Sequence, residues 1–180
     1  KAAHICIGGI LANTILMAKG IAVGRSKVAD EVLTMLQDFD ITDPKIHLPL
    51  DVVVADDIGH PSRIEVKAVG QVKDDEYILD IGPETRKLFV NVIYRAGTIF
   101  WNGPMGVFEK SEFSQGTEAI ARAIASSKGI KVVGGGEAVA ALEQFNLAGL
   151  IDHISTGGGA MLEFLAEKRL PGLEALDYYS

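Results

Sequence analysis

A chain of 180 residues, 48% hydrophobic and 23% charged with 20 glycines, is long enough for one ordinary domain with a substantial core. This composition excludes a disordered or collagen-like chain. A formal charge of −7 argues against a DNA or RNA backbone as partner, yet allows one phosphorylated small molecule held by backbone amides. The one cysteine, Cys6 in "ICI", cannot close an internal disulfide and reads as a buried, inert thiol. No apolar run reaches the ~18 residues that a membrane span requires. The opening residues lack signal-peptide character, so the expected compartment is the cytoplasm.

In chain order, "HICI" (4–7) reads as a short apolar strand stopped by Gly8-Gly9, and "ILANTILMAKG" as a helix ending at Gly20. Ser26 is expected to cap a second helix to about Phe39, with Val28, Val32, Leu33 and Leu36 on one face. "LDVVVA" (50–55) is a buried-strand candidate, and the glycine-dotted stretch after it reads as irregular chain with one or two short strands. Pro83 opens a helix to about Arg95, and "TIFW" is a strand. Ser114 to Lys128 is a helix, "KVVG" a strand, and Glu137 to Phe145 a helix. "HIST" (153–156) and a helix from Gly158 to Lys168 complete the pattern. Alternating strand and helix predicts an α/β fold, a parallel sheet covered on both faces, in one domain over 1–180.

Three glycine clusters, Gly8-Gly9, Gly134-Gly135-Gly136 and Gly157-Gly158-Gly159, each follow a predicted strand and open a helix. Parallel sheets bind ligands beyond the carboxyl ends of their strands, so the clusters and the "NGPMG" loop (102–106) should meet along one edge. There the backbone can approach a phosphate closely, and the free amides of helix starts point at it. A single cluster could equally be a tight turn; three on one edge favour a ligand. Neither generic nucleotide motif fits. "GGGEAV" and "GGGAML" break the G-x-G-x-x-G/A pattern at Val139 and Leu162, "GGILAN" lacks its second glycine, and no G-x-x-x-x-G-K-[ST] occurs.

Six ordered segments carry a more specific likeness: "LPLDVVVADD" (48–57), "LDIGPET" (79–85), "WNGPMGVFE" (101–109), "VVGGGEAVAAL" (132–142), "HISTGGGAMLEFL" (153–165) and "LPGLEAL" (170–176). With the opening "HICIGGILANTILMAKGIAVGRS" (4–26), they resemble the carboxyl-terminal, nucleotide-binding half of phosphoglycerate kinase. The resemblance implies a three-layer α/β/α, Rossmann-like, mostly parallel sheet. It implies reversible phosphoryl transfer between 1,3-bisphosphoglycerate and ADP, giving 3-phosphoglycerate and ATP, with Mg2+ as cofactor, in a monomeric enzyme. By the same resemblance Gly8, Gly9, Asn102, Pro104, Gly106 and Val107 line the adenosine pocket, and Glu109 accepts from the ribose hydroxyls. Gly134, Gly135, Gly136, Glu137 and Ala138 lie near the phosphates, with Glu137 a magnesium ligand. Gly157, Gly158 and Gly159 face the transferring phosphoryl group and form the catalytic element.

A carboxylate, acceptor-only when ionised, suits paired hydroxyl donors, and a loop of glycine and proline offers a stiff flat wall. Trp101 reads as an ordinary core aromatic. The family has aspartate then threonine or serine where this chain has Glu137 and Ala138; glutamate still reaches magnesium, which keeps several waters, but a helix-start charge explains it as well. Thr156 is expected as a plain N-cap, His4 and His153 as core histidines, and Asp56-Asp57 as a solvated pair. The resemblance lacks the family's amino-terminal, phosphoglycerate-binding domain and a "GGAK"-type turn with its strand. The chain alone is therefore expected to be inactive, because phosphoryl transfer depends on positioning and charge neutralisation from both sides, and the sheet is expected to show a gap or to borrow a strand from elsewhere. The alternatives are a non-catalytic nucleotide-binding module and, less favoured, an NAD-dependent oxidoreductase domain.

Overall fold

Three strands that each run out of an apolar stretch into glycine or a polar cap make the parallel sheet that organises the molecule. In the computed structural model, which describes residues 2–36 and 39–179, these are β6 (Thr98–Asn102), β7 (Ile130–Gly134) and β8 (His153–Ser155), in spatial order β6-β7-β8. Elements before them are β1 (Ile5–Cys6), α1 (Gly9–Ala18), α2 (Leu33–Leu36), β2 (Ile46–His47), β3 (Asp51–Ala55), β4 (Ile64–Ala68), β5 (Tyr77–Ile81) and α3 (Pro83–Arg95). The others are α4 (Gln115–Ser126), α5 (Gly136–Gln144), α6 (Gly158–Leu165) and α7 (Pro171–Glu174). In the sheet register Asn102 pairs with Gly134 and Gly134 with Ser155, so the turns that follow leave from one row at the carboxyl edge. That row is the reason for the convergence described below.

Helix burial follows helical spacing. Thr85, Phe89 and Ile93 of α3 are buried at i, i+4 and i+8, and Ile120 and Ile124 of α4 face them across a core that also holds Trp101, Val133 and Leu142. Fully burying side chains of this size contributes roughly 1.5–3 kcal/mol each. Helix α3 starts at Pro83, whose missing N–H would have been an orphan donor in any case. Its cap comes from another element: Asp51 of β3 accepts from the N–H groups of Glu84 (3.1 Å) and Thr85 (2.8 Å) and from the Thr85 hydroxyl (2.7 Å). Gly82 leaves room for that carboxylate, since a Cβ there would lie 2.2 Å from Asp51 Cγ.

The parallel strands fall into two pieces. β1 pairs parallel with β2, and among the described residues no ladder joins this pair to β6-β7-β8; the expected gap is therefore present. Several expectations are corrected. "LDVVVA" does not join the parallel sheet: β3 lies between β4 and β5 in a separate antiparallel sheet. The stretch after it holds two five-residue strands, in line with the one or two short strands expected; the Asp56 carboxylate accepts from Ser62 and Arg63 amides and from the Ser62 hydroxyl, folding the chain back as a hairpin. Asp57 likewise shapes that turn, accepting from the amides of Gly59 and His60.

In place of a helix from Ser26 to Phe39 the chain makes a 3-10 turn (Asp30–Val32) and the four-residue α2, and residues 37–38 lie outside the described residues. Ser26 is committed elsewhere. Its buried hydroxyl donates to the Val23 carbonyl and accepts from the N–H of Ile78 at 2.7 Å, tying the loop to β5. The last long helix ends at Leu165, short of Lys168. His4 and His153 are exposed, outside the core. Thr156 caps nothing: the residue before α6 is Gly157, and no side chain caps that helix. Among the described residues no helix is long and apolar enough to cross a membrane.

Candidate functional site

The loop Asn102–Phe108 is stiff because both its walls and its backbone are anchored. Trp101, Met105 and Phe108 are buried on the core side. The amide of Val107 donates to the Leu79 carbonyl (2.8 Å), that of Met105 to the Thr117 hydroxyl (3.0 Å), and the Phe108 carbonyl accepts from Gln144 (3.0 Å). Gly106 passes so close to β5 that a Cβ would sit 2.4 Å from the Leu79 carbonyl oxygen and 2.6 Å from Asp80 Oδ1. Glycine is required there by close approach rather than by flexibility.

The glycine clusters meet this loop as their shared edge predicts. A Cβ on Gly8 would lie 2.5 Å from Met105 Sδ, and one on Gly9 3.0 Å from the Pro104 carbonyl. One on Gly158 would lie 2.5 Å from Gly135 Cα and 3.3 Å from Asn102 Nδ2. Gly135 itself holds φ +91° with the Asn102 amide against it, a conformation that glycine adopts without strain. Side chains at these positions would fill the edge; without them a cleft of about 520 Å³ remains. It is lined by Gly8, Gly9, Asn102, Pro104, Gly106, Val107, Glu109 and Glu137, together with residues of α1, β3 and β5.

Other expected positions lie elsewhere. Gly134 and Ala138 are buried, and the Ala138 methyl packs in the core against the sheet rather than facing the cleft. Gly135 and Gly136 border a smaller hollow of about 260 Å³ between α5 and β8, with Ser155 and Thr156. Of the last cluster none lines the cleft; Gly158 alone comes close, abutting the cleft residue Asn102 and, in the smaller hollow, Gly135.

Sequence reasoning missed Lys27, Tyr77 and Asp80, which also line the cleft. Lys27 is the one cation among its lining residues, and a lone lysine in a stretch that reads as an ordinary helix carries no signal. Asp80 is 1% exposed, and a buried carboxylate between "YIL" and "IGP" was the signal available. Its Oδ2 accepts from the amide of Gly116 at 2.6 Å and its Oδ1 from that of Ile81 at 2.9 Å, joining β5 to the start of α4 under the loop. Burial pushes the Asp80 carboxyl up to about 7, against the two amides and the Arg86 charge, which favour ionisation.

The cleft has an apolar floor, backbone amides at helix starts and two exposed carboxylates, Glu109 and Glu137. Among the described residues no group of three or more His, Cys, Asp or Glu could cage a metal. A single carboxylate in the first turn of α5 still fits magnesium, which takes one or two carboxylates, several waters and substrate phosphates.

Comparison with known proteins gives one family. The phosphoglycerate kinase family model matches residues 1–168. The chain is 47% identical over 180 residues to phosphoglycerate kinase of Moorella thermoacetica and 48% over 181 residues to that of Herpetosiphon aurantiacus, covering 98% of this chain and 46% of each relative. Among solved structures it superposes on phosphoglycerate kinase from Coxiella burnetii with a TM-score of 0.89 and 42% identity, over 97% of this chain and 46% of that one. For the Pyrococcus horikoshii OT3 enzyme the TM-score is 0.80 at 33% identity, over 98% and 45%. The chain thus spans about half the length of the relatives it matches.

Proposed function

From the premise that this chain belongs to the phosphoglycerate kinase family, we propose that it is that kinase's nucleotide-binding half and holds Mg-ADP or Mg-ATP in the cleft at the carboxyl edge of the sheet. The observation that carries this is the meeting of Gly8-Gly9, the Asn102–Gly106 loop, Glu109 and Glu137 around one cleft, with Gly8, Gly9 and Gly106 packed so closely on neighbouring elements that no side chain fits there.

In this reading the apolar wall of Val107 and Pro104 takes the purine, and the Glu109 carboxylate accepts from the two ribose hydroxyls, both of which are donors. Amides at the starts of α1 and α5 face the phosphates with the positive ends of their helices. Glu137 would hold magnesium, which when bound neutralises phosphate charge. Gly157, Gly158 and Gly159 at the start of α6 supply amides toward the phosphoryl group in transit. Transfer between 1,3-bisphosphoglycerate and ADP then needs a second, phosphoglycerate-binding half to bring the other substrate in line, so the chain by itself binds and does not turn over. The reading carries with it a monomeric, cytoplasmic enzyme.

Titration calorimetry with ADP, ATP and NAD, each with and without magnesium, tests it. Adenine nucleotide should bind at one site more tightly with magnesium, and NAD should not compete. Preference for NAD, or no nucleotide binding at all, overturns the reading.

A further inference from the structure

We propose that His4 and His47 form a two-histidine chelate for a tetragonal divalent transition metal, Ni2+ or Cu2+, on the face of the β1-β2 pair opposite the apolar residues that cover α1. β1 and β2 run parallel with Cys6 opposite His47, and His4 lies two residues before Cys6 on the same face. This register brings the two imidazoles together from residues 43 apart in sequence, with His4 Nδ1 3.0 Å from His47 Nε2 and ring centroids 5.1 Å apart.

The distance selects the metal. With metal–nitrogen bonds of about 2.0–2.1 Å, two nitrogens 3.0 Å apart subtend an angle of about 91–97° at a shared ion. That is the cis angle of square-planar and octahedral sites, which suit Cu2+ and Ni2+. A tetrahedral zinc site would need the nitrogens about 3.3 Å apart.

Cys6 is not a ligand. Its thiol is half-buried and packs against the core. The remaining coordination positions are taken by water, on the exposed side of His4.

Calorimetric titration of the full chain with NiCl2 and with ZnCl2 at pH 7.5 tests this, alongside His4→Ala, His47→Asn and the control His153→Ala. One Ni2+ should bind per chain, more tightly than Zn2+. Each of the first two substitutions should weaken Ni2+ by about tenfold or more, and His153→Ala should change nothing. Removing the exposed His4 leaves the core untouched, so His4→Ala decides the matter even where His47→Asn unfolds. Equal Ni2+ affinity in His4→Ala and wild type would overturn the site. Tighter binding of Zn2+ than Ni2+ would overturn the assignment of the ion.

Discussion

Asp80 offers a sharp perturbation, because a carboxyl 1% exposed is held by two amides, and burial outweighs both these bonds and the Arg86 charge. Its folded pKa, about 7, stands above the ordinary aspartate value of 3.8. The stability it contributes is therefore fully present below about pH 4 and is lost as pH rises toward and through 7. At about 1.4 kcal/mol per unit, the whole shift amounts to roughly 4 kcal/mol, of which roughly 2.5–3 kcal/mol falls between pH 5 and pH 8. Asp80→Asn removes the titration but leaves either the Gly116 or the Ile81 amide facing an NH2 group, at a pH-independent cost of about 1–3 kcal/mol. Urea unfolding of both proteins at pH 5 and pH 8 separates the two effects. Wild type should lose roughly 2–3 kcal/mol more than Asp80→Asn over that interval. Should Asp80→Asn not fold, a carbon-13 titration of the Asp80 carboxyl in wild type should give its midpoint near 7. Identical pH dependence in both proteins, or a midpoint near 4, refutes the reasoning.

Three other changes test the capping, packing and metal arguments. Asp51→Ala should cost about 2 kcal/mol in chemical denaturation, because the first turn of α3 loses its cap and buried Thr85 loses a partner; a loss within error of zero would refute the cross-element cap. Gly158→Ala should cost about 1–3 kcal/mol, since its Cβ would lie 2.5 Å from Gly135 Cα, whereas Gly159→Ala, with nothing near its Cβ, should be close to neutral. Glu137→Asp should strengthen the magnesium dependence of ADP binding and Glu137→Gln should abolish it. Unchanged dependence in both would leave Glu137 as a helix-start charge, worth about 0.3–1 kcal/mol of stability.

How far the molecule could be read from its sequence depended on the range of the interactions involved. The strands around 98–102, 130–134 and 153–155 and the helices between them are local patterns, apolar runs stopped by glycine and buried residues at i and i+4, so their placement and the meeting of their glycines could be anticipated. β3 was recognisable as a strand, but its partners were not. β4 exposes Ile64 and Val66 and carries Lys67, whose ammonium lies 2.7 Å from the buried Glu76 carboxylate, so it lacks the alternation that marks a half-buried strand. Ser26 looked like a helix cap because capping is local, while its actual bond reaches Ile78, 52 residues away. Tyr77 and Asp80 enter the cleft from a stretch that read as irregular, and Lys27 from one that read as a helix.

The claim that an adenine nucleotide lies with its ribose on Glu109 is tested most directly by comparing ADP with pyrophosphate on wild type and Glu109→Ala. Glu109 is exposed at the rim of the cleft and outside the core, so the substitution should leave folding intact. Loss of hydrogen bonds to a charged acceptor, worth about 1.5–3 kcal/mol, should weaken ADP by roughly ten- to a hundredfold and leave pyrophosphate unchanged. Equal weakening of both ligands, or of neither, would contradict it.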